Sequence, residues 1–215
     1  MEFISQELDD YVCNHTEKES DLLYNLNRKT HIEVLRSRML SGHFQGRVLS
    51  MLSKMIQPER ILEIGTYTGY SALCFAEGLK KDGEITTIDI NEELEDIVKE
   101  HVEKSPYKDQ VKLVIGNALE IIPTLDEKFD IVFIDADKEN YIKYYDLVFD
   151  KVKVGGYIIA DNVLWSGKVL EEIAENDKDT PIILAYNKKI HEDDRVENVL
   201  LPIRDGILIA RKTSN

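Results

Sequence analysis

Short, mostly apolar runs recur along the chain at Ile61–Ile64, Ile85–Ile88, Val111–Ile115, Ile131–Ile134 and Tyr157–Ala160, and stretches of helical composition separate them at Ser71–Lys80, Glu92–Glu103 and Tyr141–Val152. Runs of four or five such residues alternating with helices predict strands buried on both faces of a parallel sheet. That is the pattern of a doubly wound α/β fold. The ending differs, because Val196–Leu201 and Ile207–Ala210 are separated only by Pro202-Ile203-Arg204-Asp205-Gly206. A hairpin turning at Asp-Gly is expected there, an antiparallel pair closing the parallel sheet. Ahead of the first strand, Leu22, Leu23, Leu26, Ile32, Leu35 and Met39 follow helix spacing from Ser20. A break at Ser41-Gly42-His43 leads into a second helical run, ended by Pro58. With no repeat or long linker, the chain reads as one domain, 1–215, comprising a helical extension over 1–57 and an α/β core over 58–215.

Composition narrows the function classes. The 215 residues carry a net charge of −14, which disfavours nucleic acid as a partner, since phosphate binding needs a basic face. Cys13 and Cys74 offer no disulfide framework, and no apolar run approaches the ~20 residues of a membrane span. The acidic start, MEFISQELDDYVC, lacks the profile of a secretory signal. A cytoplasmic setting with no membrane partner is expected.

The first strand runs into ILEIGTYTGYS, placing Gly65 and Gly69 in the turn before a helix. Ligands of open α/β sheets bind at the carboxyl ends of the strands. The second strand ends on Asp89, and an acid there accepts hydrogen bonds from ribose hydroxyls. A nucleoside-containing cofactor follows. Dinucleotide sites favour G-x-G-x-x-G for close approach to pyrophosphate, whereas Thr66 stands where a second glycine would be. Glu63 would repel a pyrophosphate and tolerate a cationic ligand. Both features favour a cofactor without phosphates, such as S-adenosylmethionine.

The fourth strand, in FDIVFIDADKENY, ends at Asp135, and the fifth, in YIIADNVLW, ends at Asp161 and Asn162. Two carboxylates and an amide oxygen are hard donors suited to Mg²⁺, Mn²⁺ or Ca²⁺. Asp137 reads as a structural cap, and Lys138 as either a surface lysine or a base beside an acidic crevice.

ILEIGTYTGYS, TIDIN, FIDADKENYIKYY, VGGYIIADNVLWSGKV and LLPIRDGILIARK, in this order, resemble the cation-dependent, S-adenosylmethionine-dependent O-methyltransferases typified by caffeoyl-CoA and catechol O-methyltransferases. The resemblance runs from about Met39 to Lys212. It implies a Rossmann-like class I methyltransferase fold, seven strands with the last antiparallel. It implies that Gly65, Tyr67 and Ser71 line the methionine half of the cofactor, with Met39 and Ser41 nearby, Asp89 on the ribose and Ala118 behind the adenine. Asp135 would lie near the cofactor and share the metal with Asp161 and Asn162. Lys138 would be the base, and Trp165 would cover the substrate mouth. A homodimer and a catechol-type small-molecule acceptor are implied as well. Plant members carry Asp-Glu-Gly-Gln where this chain has Phe44-Gln45-Gly46-Arg47. The rival readings are an NAD-dependent oxidoreductase, an RNA methyltransferase and a non-catalytic cofactor-binding protein; cofactor titration, a salt-sensitive RNA-binding test and labelled-methyl transfer separate them.

Overall fold

The computed structural model describes residues 4–215, and the chain divides into two compact units, Ile4–Asn117 and Ala118–Asn215.

In the first unit, helices α1 (Gln6–Asn14) and α2 (Asp21–Glu33) each start at a serine, Ser5 and Ser20, whose side chain accepts from a backbone amide of the first turn. Helix α2 does not continue to Met39 as its spacing predicts. It stops at Glu33, Val34 is extended, Arg36 is left-handed, and only a short 3₁₀ turn, Ser37–Met39, follows. Burial explains the correction: Leu23 and Leu26 pack inside, whereas Ile32 and Leu35 are 70% and 88% exposed. Their spacing marks no packed face, so nothing holds the helix on. Helix α3 (Gly42–Ile56) then ends on left-handed Gln57, just before Pro58.

Strands β1 (Arg60–Ile64), β2 (Glu84–Asp89) and β3 (Val111–Ile115) pair in parallel in the order β3-β2-β1, with α4 (Tyr70–Ala76) and α5 (Glu95–Lys104) between them in the chain. Helix α4 is shorter than the expected Ser71–Lys80, because the chain turns out through Glu77-Gly78; all seven of its residues are buried. Two elements of this unit, α3 and the end of α4, keep Arg47 in place. Its guanidinium on α3 reaches Glu77 at 2.7 and 2.9 Å, and Ser50 and Lys54 donate to the same carboxylate. The arginine that departs from the plant pattern thus has its acid partner within this chain, at the end of α4.

The second unit holds α6 (Ala118–Ile121), β4 (Phe129–Ile134), α7 (Tyr141–Phe149), β5 (Val152–Asp161), α8 (Asp179–His191), β6 (Val196–Leu201) and β7 (Ile207–Lys212). Its strands lie in the order β4-β5-β7-β6. Strands β4 and β5 are parallel, and β7 runs antiparallel to both β5 and β6, with Leu201 opposite Ile207 across the expected hairpin. Helix α7 ends at Phe149, short of the expected Val152, which instead opens β5. Ile131, Val132, Phe133 and Ile134 are all fully buried, as a strand covered on both faces requires. That burial fixes where β4 must end, on the polar run that starts at Asp135. Among the described residues no helix is long and apolar enough to cross a membrane.

Candidate active site

In the first unit, the turn after β1 is shaped by backbone that few residues adopt. Gly65, Tyr67 and Gly69 all have positive φ, at 100°, 49° and 84°. Glycine supplies this cheaply, but Tyr67 does not and must be held. Asp89, at the end of β2, holds it: Oδ2 accepts from the Tyr67 amide at 2.7 Å, while Oδ1 accepts from the Asn91 amide at 2.9 Å. The predicted ribose-binding acid therefore also sets the turn. Each carboxylate oxygen has a second lone pair, so both remain competent to accept from a ligand.

Glu63 is fully buried, and its Oε2 accepts from Thr87, which in turn bonds Thr66 in the turn. It reaches the turn through these two hydroxyls. Ser71 is buried in the first turn of α4 and Ser41 at the start of α3. Met39 is half exposed, on the 3₁₀ turn ahead of α3. The Tyr67 hydroxyl donates to the Leu35 carbonyl at 3.1 Å, tying the cofactor-type turn to the segment before Met39. Ala118, in the other unit, opens α6 and is buried.

In the second unit, register places Asp135 and Asp161 one position beyond the last paired residues, Ile134 and Ala160. The ammonium of Lys138 lies among these strand ends. It donates to Asn162 Oδ1 at 2.9 Å and to the Ala136 carbonyl at 3.1 Å, it contacts Tyr141 Oη, and it stands 3.5 Å from Asp135 Oδ1. It is also 5.9 Å from the centre of the Trp165 ring. Asp161 is buried and accepts from the Asn162 amide at 2.7 Å. Burial, and then the charge of Asp161, push the Asp135 carboxyl upward, with Lys138 opposing them.

This environment fits a divalent cation. The Asp135 carboxylate and the Asn162 amide oxygen both face the Lys138 ammonium, which stands in as the cation against them, and the charge of buried Asp161 acts on Asp135. The set differs from a cluster of three or more His, Cys, Asp or Glu side chains, of which there is none among the described residues. Its third donor is an amide, the ligation oxygen-binding cations accept.

Asp137 stands at the N-cap position of the 3₁₀ turn Lys138–Asn140, but its carboxylate does not cap it. It takes the Tyr144 hydroxyl at 2.6 Å and the Asn140 side chain instead, so it serves structure by another route. Three contacts near these strand ends, made by Tyr141, Asn187 and Asp205, were not legible in the sequence. Tyr141 is fully buried; burial, then Asp135 and Asp161, push its phenol well above the usual range, so it stays protonated and donates to the Asp161 carbonyl at 3.0 Å. Only its position three residues after Lys138 gave a signal. Asn187 Nδ2 donates to the Val163 carbonyl at 2.8 Å. Asp205 was visible as a turn residue only.

An O-methyltransferase family model matches residues 13–213. Curated relatives include caffeoyl-CoA O-methyltransferase 2 of Eucalyptus globulus, 39% identical over 82% of this chain and 76% of its own, and caffeoyl-CoA O-methyltransferase 1 of Arabidopsis thaliana, 37% identical over 82% and 72%. Among solved structures, the methyltransferase PaMTH1 of Podospora anserina, bound to SAH, is 27% identical with a TM-score of 0.88, covering 100% of this chain and 99% of its own. The O-methyltransferase TomG of Streptomyces achromogenes, in complex with SAM, is 25% identical with a TM-score of 0.89, covering 99% and 100%. Likeness over the full length gives the fold class, an α/β Rossmann-like arrangement whose seven strands form a mixed sheet. The chain belongs to the O-methyltransferase family.

Proposed function

We propose that this O-methyltransferase moves the methyl group of S-adenosylmethionine to one hydroxyl of a vicinal diphenol, with a divalent cation, Mg²⁺ first among candidates, held by Asp135, Asp161 and Asn162. The observation that carries the reading is the convergence of Lys138 on Asp135 and Asn162 at the ends of β4 and β5. Relatives named for caffeoyl-CoA support the acceptor class, since a caffeoyl group is a vicinal diphenol. Solved relatives bound to SAM or SAH support the cofactor.

A phenol has a pKa of about 10 and is mostly protonated at neutral pH. When bound, a divalent cation lowers the pKa of such a hydroxyl and fixes its position. The residues of this chain then have separable tasks. Asp135, Asp161 and Asn162 supply the oxygen donors. Lys138 acts as the neutral amine, its ammonium having given up a proton to solvent when a bound cation takes over its charge, and so accepts the reacting hydroxyl's proton at Nζ, beside the Tyr141 hydroxyl that orients that amine. Gly65, Tyr67, Ser71 and Asp89 bind the methionine and ribose portions, with Met39, Ser41, Glu63 and Ala118 completing the cofactor set. Trp165 lies over the acceptor. Holding donor and acceptor in line can itself remove roughly 7–11 kcal/mol of barrier.

Labelled-methyl transfer to a panel containing a caffeoyl thioester, free catechol, a flavonoid and their single-hydroxyl analogues tests the reading. Vicinal diphenols are expected to be methylated and the single-hydroxyl analogues not; equal rates for both would overturn the chelating acceptor.

A further inference from the structure

The segment that follows β5 is strained. Asn162, Trp165 and Ser166 have φ of 58°, 47° and 55°, so three non-glycine residues within five positions sit in the left-handed region. Each such residue carries a cost, and the conformation persists only where the surroundings over-determine it. The neighbours that do so come from far along the chain. The Leu164 amide donates to the Asp205 carbonyl at 2.9 Å, the Val163 amide to the Gly206 carbonyl at 3.2 Å, and the Ser166 amide to Asp205 Oδ1 at 2.5 Å. Asn187 adds the bond to the Val163 carbonyl from α8.

The approach is close. A Cβ on Gly206 would come within 2.5 Å of Leu164 Cγ and 2.9 Å of its amide nitrogen, at a φ of 89° that disfavours any side chain. The hairpin tip is therefore in direct van der Waals contact with the segment it bonds. Of these contacts, one alone is made by a replaceable side-chain acceptor without altering the hairpin backbone: Asp205 Oδ1 to the Ser166 amide. Ser166 is the last of the three left-handed non-glycine residues in this segment, with Trp165 just before it and Asn162 four positions back.

We propose that Asp205, at the tip of the β6–β7 hairpin, is a positioning residue that locks the 162–167 segment in the conformation that aims Asn162 at Lys138 and sets Trp165 beside it. The proposal rests on the reading of Asn162 as a metal ligand, but its first consequence does not. Trp165 is the only tryptophan in the chain, so its emission reports on this segment with no cation, cofactor or acceptor present.

The experiment compares the full chain with Asp205→Ala and Asp205→Asn, the latter keeping an oxygen acceptor at the same position. Acrylamide quenching of Trp165 is expected to rise at least about twofold in the alanine variant and to return close to the parent value in the asparagine variant. Mn²⁺ affinity, read by electron paramagnetic resonance without acceptor, is expected to fall about 10- to 100-fold in the alanine variant, the usual effect of losing a group that orients a ligand. Unchanged quenching in Asp205→Ala overturns the lock, as does equal loosening in both variants. Loosened Trp165 with unchanged Mn²⁺ affinity overturns the aiming of Asn162. If the parent itself binds no Mn²⁺, the metal reading fails and the quenching comparison alone decides the lock. Should Asp205→Ala not fold, amide hydrogen exchange across 162–168 in the parent is the second measurement; slow exchange at Leu164 and Ser166 supports the lock, and exchange at the rate of an open loop overturns it.

Discussion

The Lys138 ammonium and the Asn162 side-chain oxygen are hydrogen-bonded at 2.9 Å, so the candidate base and a candidate metal ligand share one contact. Lys138 also lies 3.5 Å from Asp135. A cation entering this donor set must take over part of what the ammonium now does. That exchange ties the metal and the base to the same few atoms, and several outcomes depend on it.

Removing the cation should stop the reaction. Methylation of a vicinal diphenol is expected to vanish with excess chelator and to return on adding Mg²⁺. Asp161→Ala should lower kcat by at least about 100-fold, the scale on which charge-stabilising groups act. Equilibrium dialysis should show S-adenosylmethionine binding little changed, and activity that resists chelator would remove the metal from the scheme.

Lys138→Met keeps the length of the side chain and deletes its charge and donors. Its kcat is expected to fall roughly 10²–10⁴-fold, the usual contribution of a positioned acid–base group. Initial-rate kinetics at saturating cofactor measure this. A variant that retains near-normal kcat across pH would exclude Lys138 as the base.

Asp89 carries a double task, since its carboxylate holds the Tyr67 and Asn91 amides. Asp89→Ala is expected to weaken S-adenosylmethionine binding by at least about tenfold, combining a lost ribose acceptor with a relaxed turn. Asp89→Asn, which keeps one oxygen acceptor, should fall between the two in calorimetric titration.

The Arg47–Glu77 pair predicts a pH dependence of folding. Burial alone would raise the Glu77 carboxyl, but hydrogen bonds from Arg47, Ser50 and Lys54 outweigh it and hold it at about 2. Its folded value is therefore depressed below that of the unfolded chain, about 4.3. The stabilisation is fully present above the unfolded value and is lost as pH falls from there toward about 2. Urea unfolding at pH 7, 4.5 and 3 should show the parent losing stability through that window, with Glu77→Gln flatter across it. At pH 7, Glu77→Ala is expected to cost about 3 kcal/mol, because it leaves the mostly buried Arg47 charge without its carboxylate.

Much of this was legible along the chain. Burial of strands on both faces writes itself as short apolar runs, so β1, β2 and β4 fell where the runs lay, while β5 opens at Val152, ahead of its run, and β3 and β6 are only partly buried; the polar residues at the strand ends marked Asp89, Asp135, Asp161 and Asn162. The glycines of the turn after β1 were equally visible, since positive φ leaves few alternatives to glycine. The end of α2 was not legible, because helix spacing at Ile32 and Leu35 carries no sign of whether a partner covers that face.

By itself, then, the sequence determined the order of elements and the chemistry available at each strand end, because both are local: periodicity over a few residues, and the identity of the residue where a buried run stops. Tertiary structure decided the rest. It paired Arg47 with Glu77, set Tyr141 between Lys138 and the Asp161 carbonyl, and brought Asp205 to Ser166. These partners stand up to 39 residues apart, and no local pattern encodes a hydrogen bond formed only when two distant elements pack.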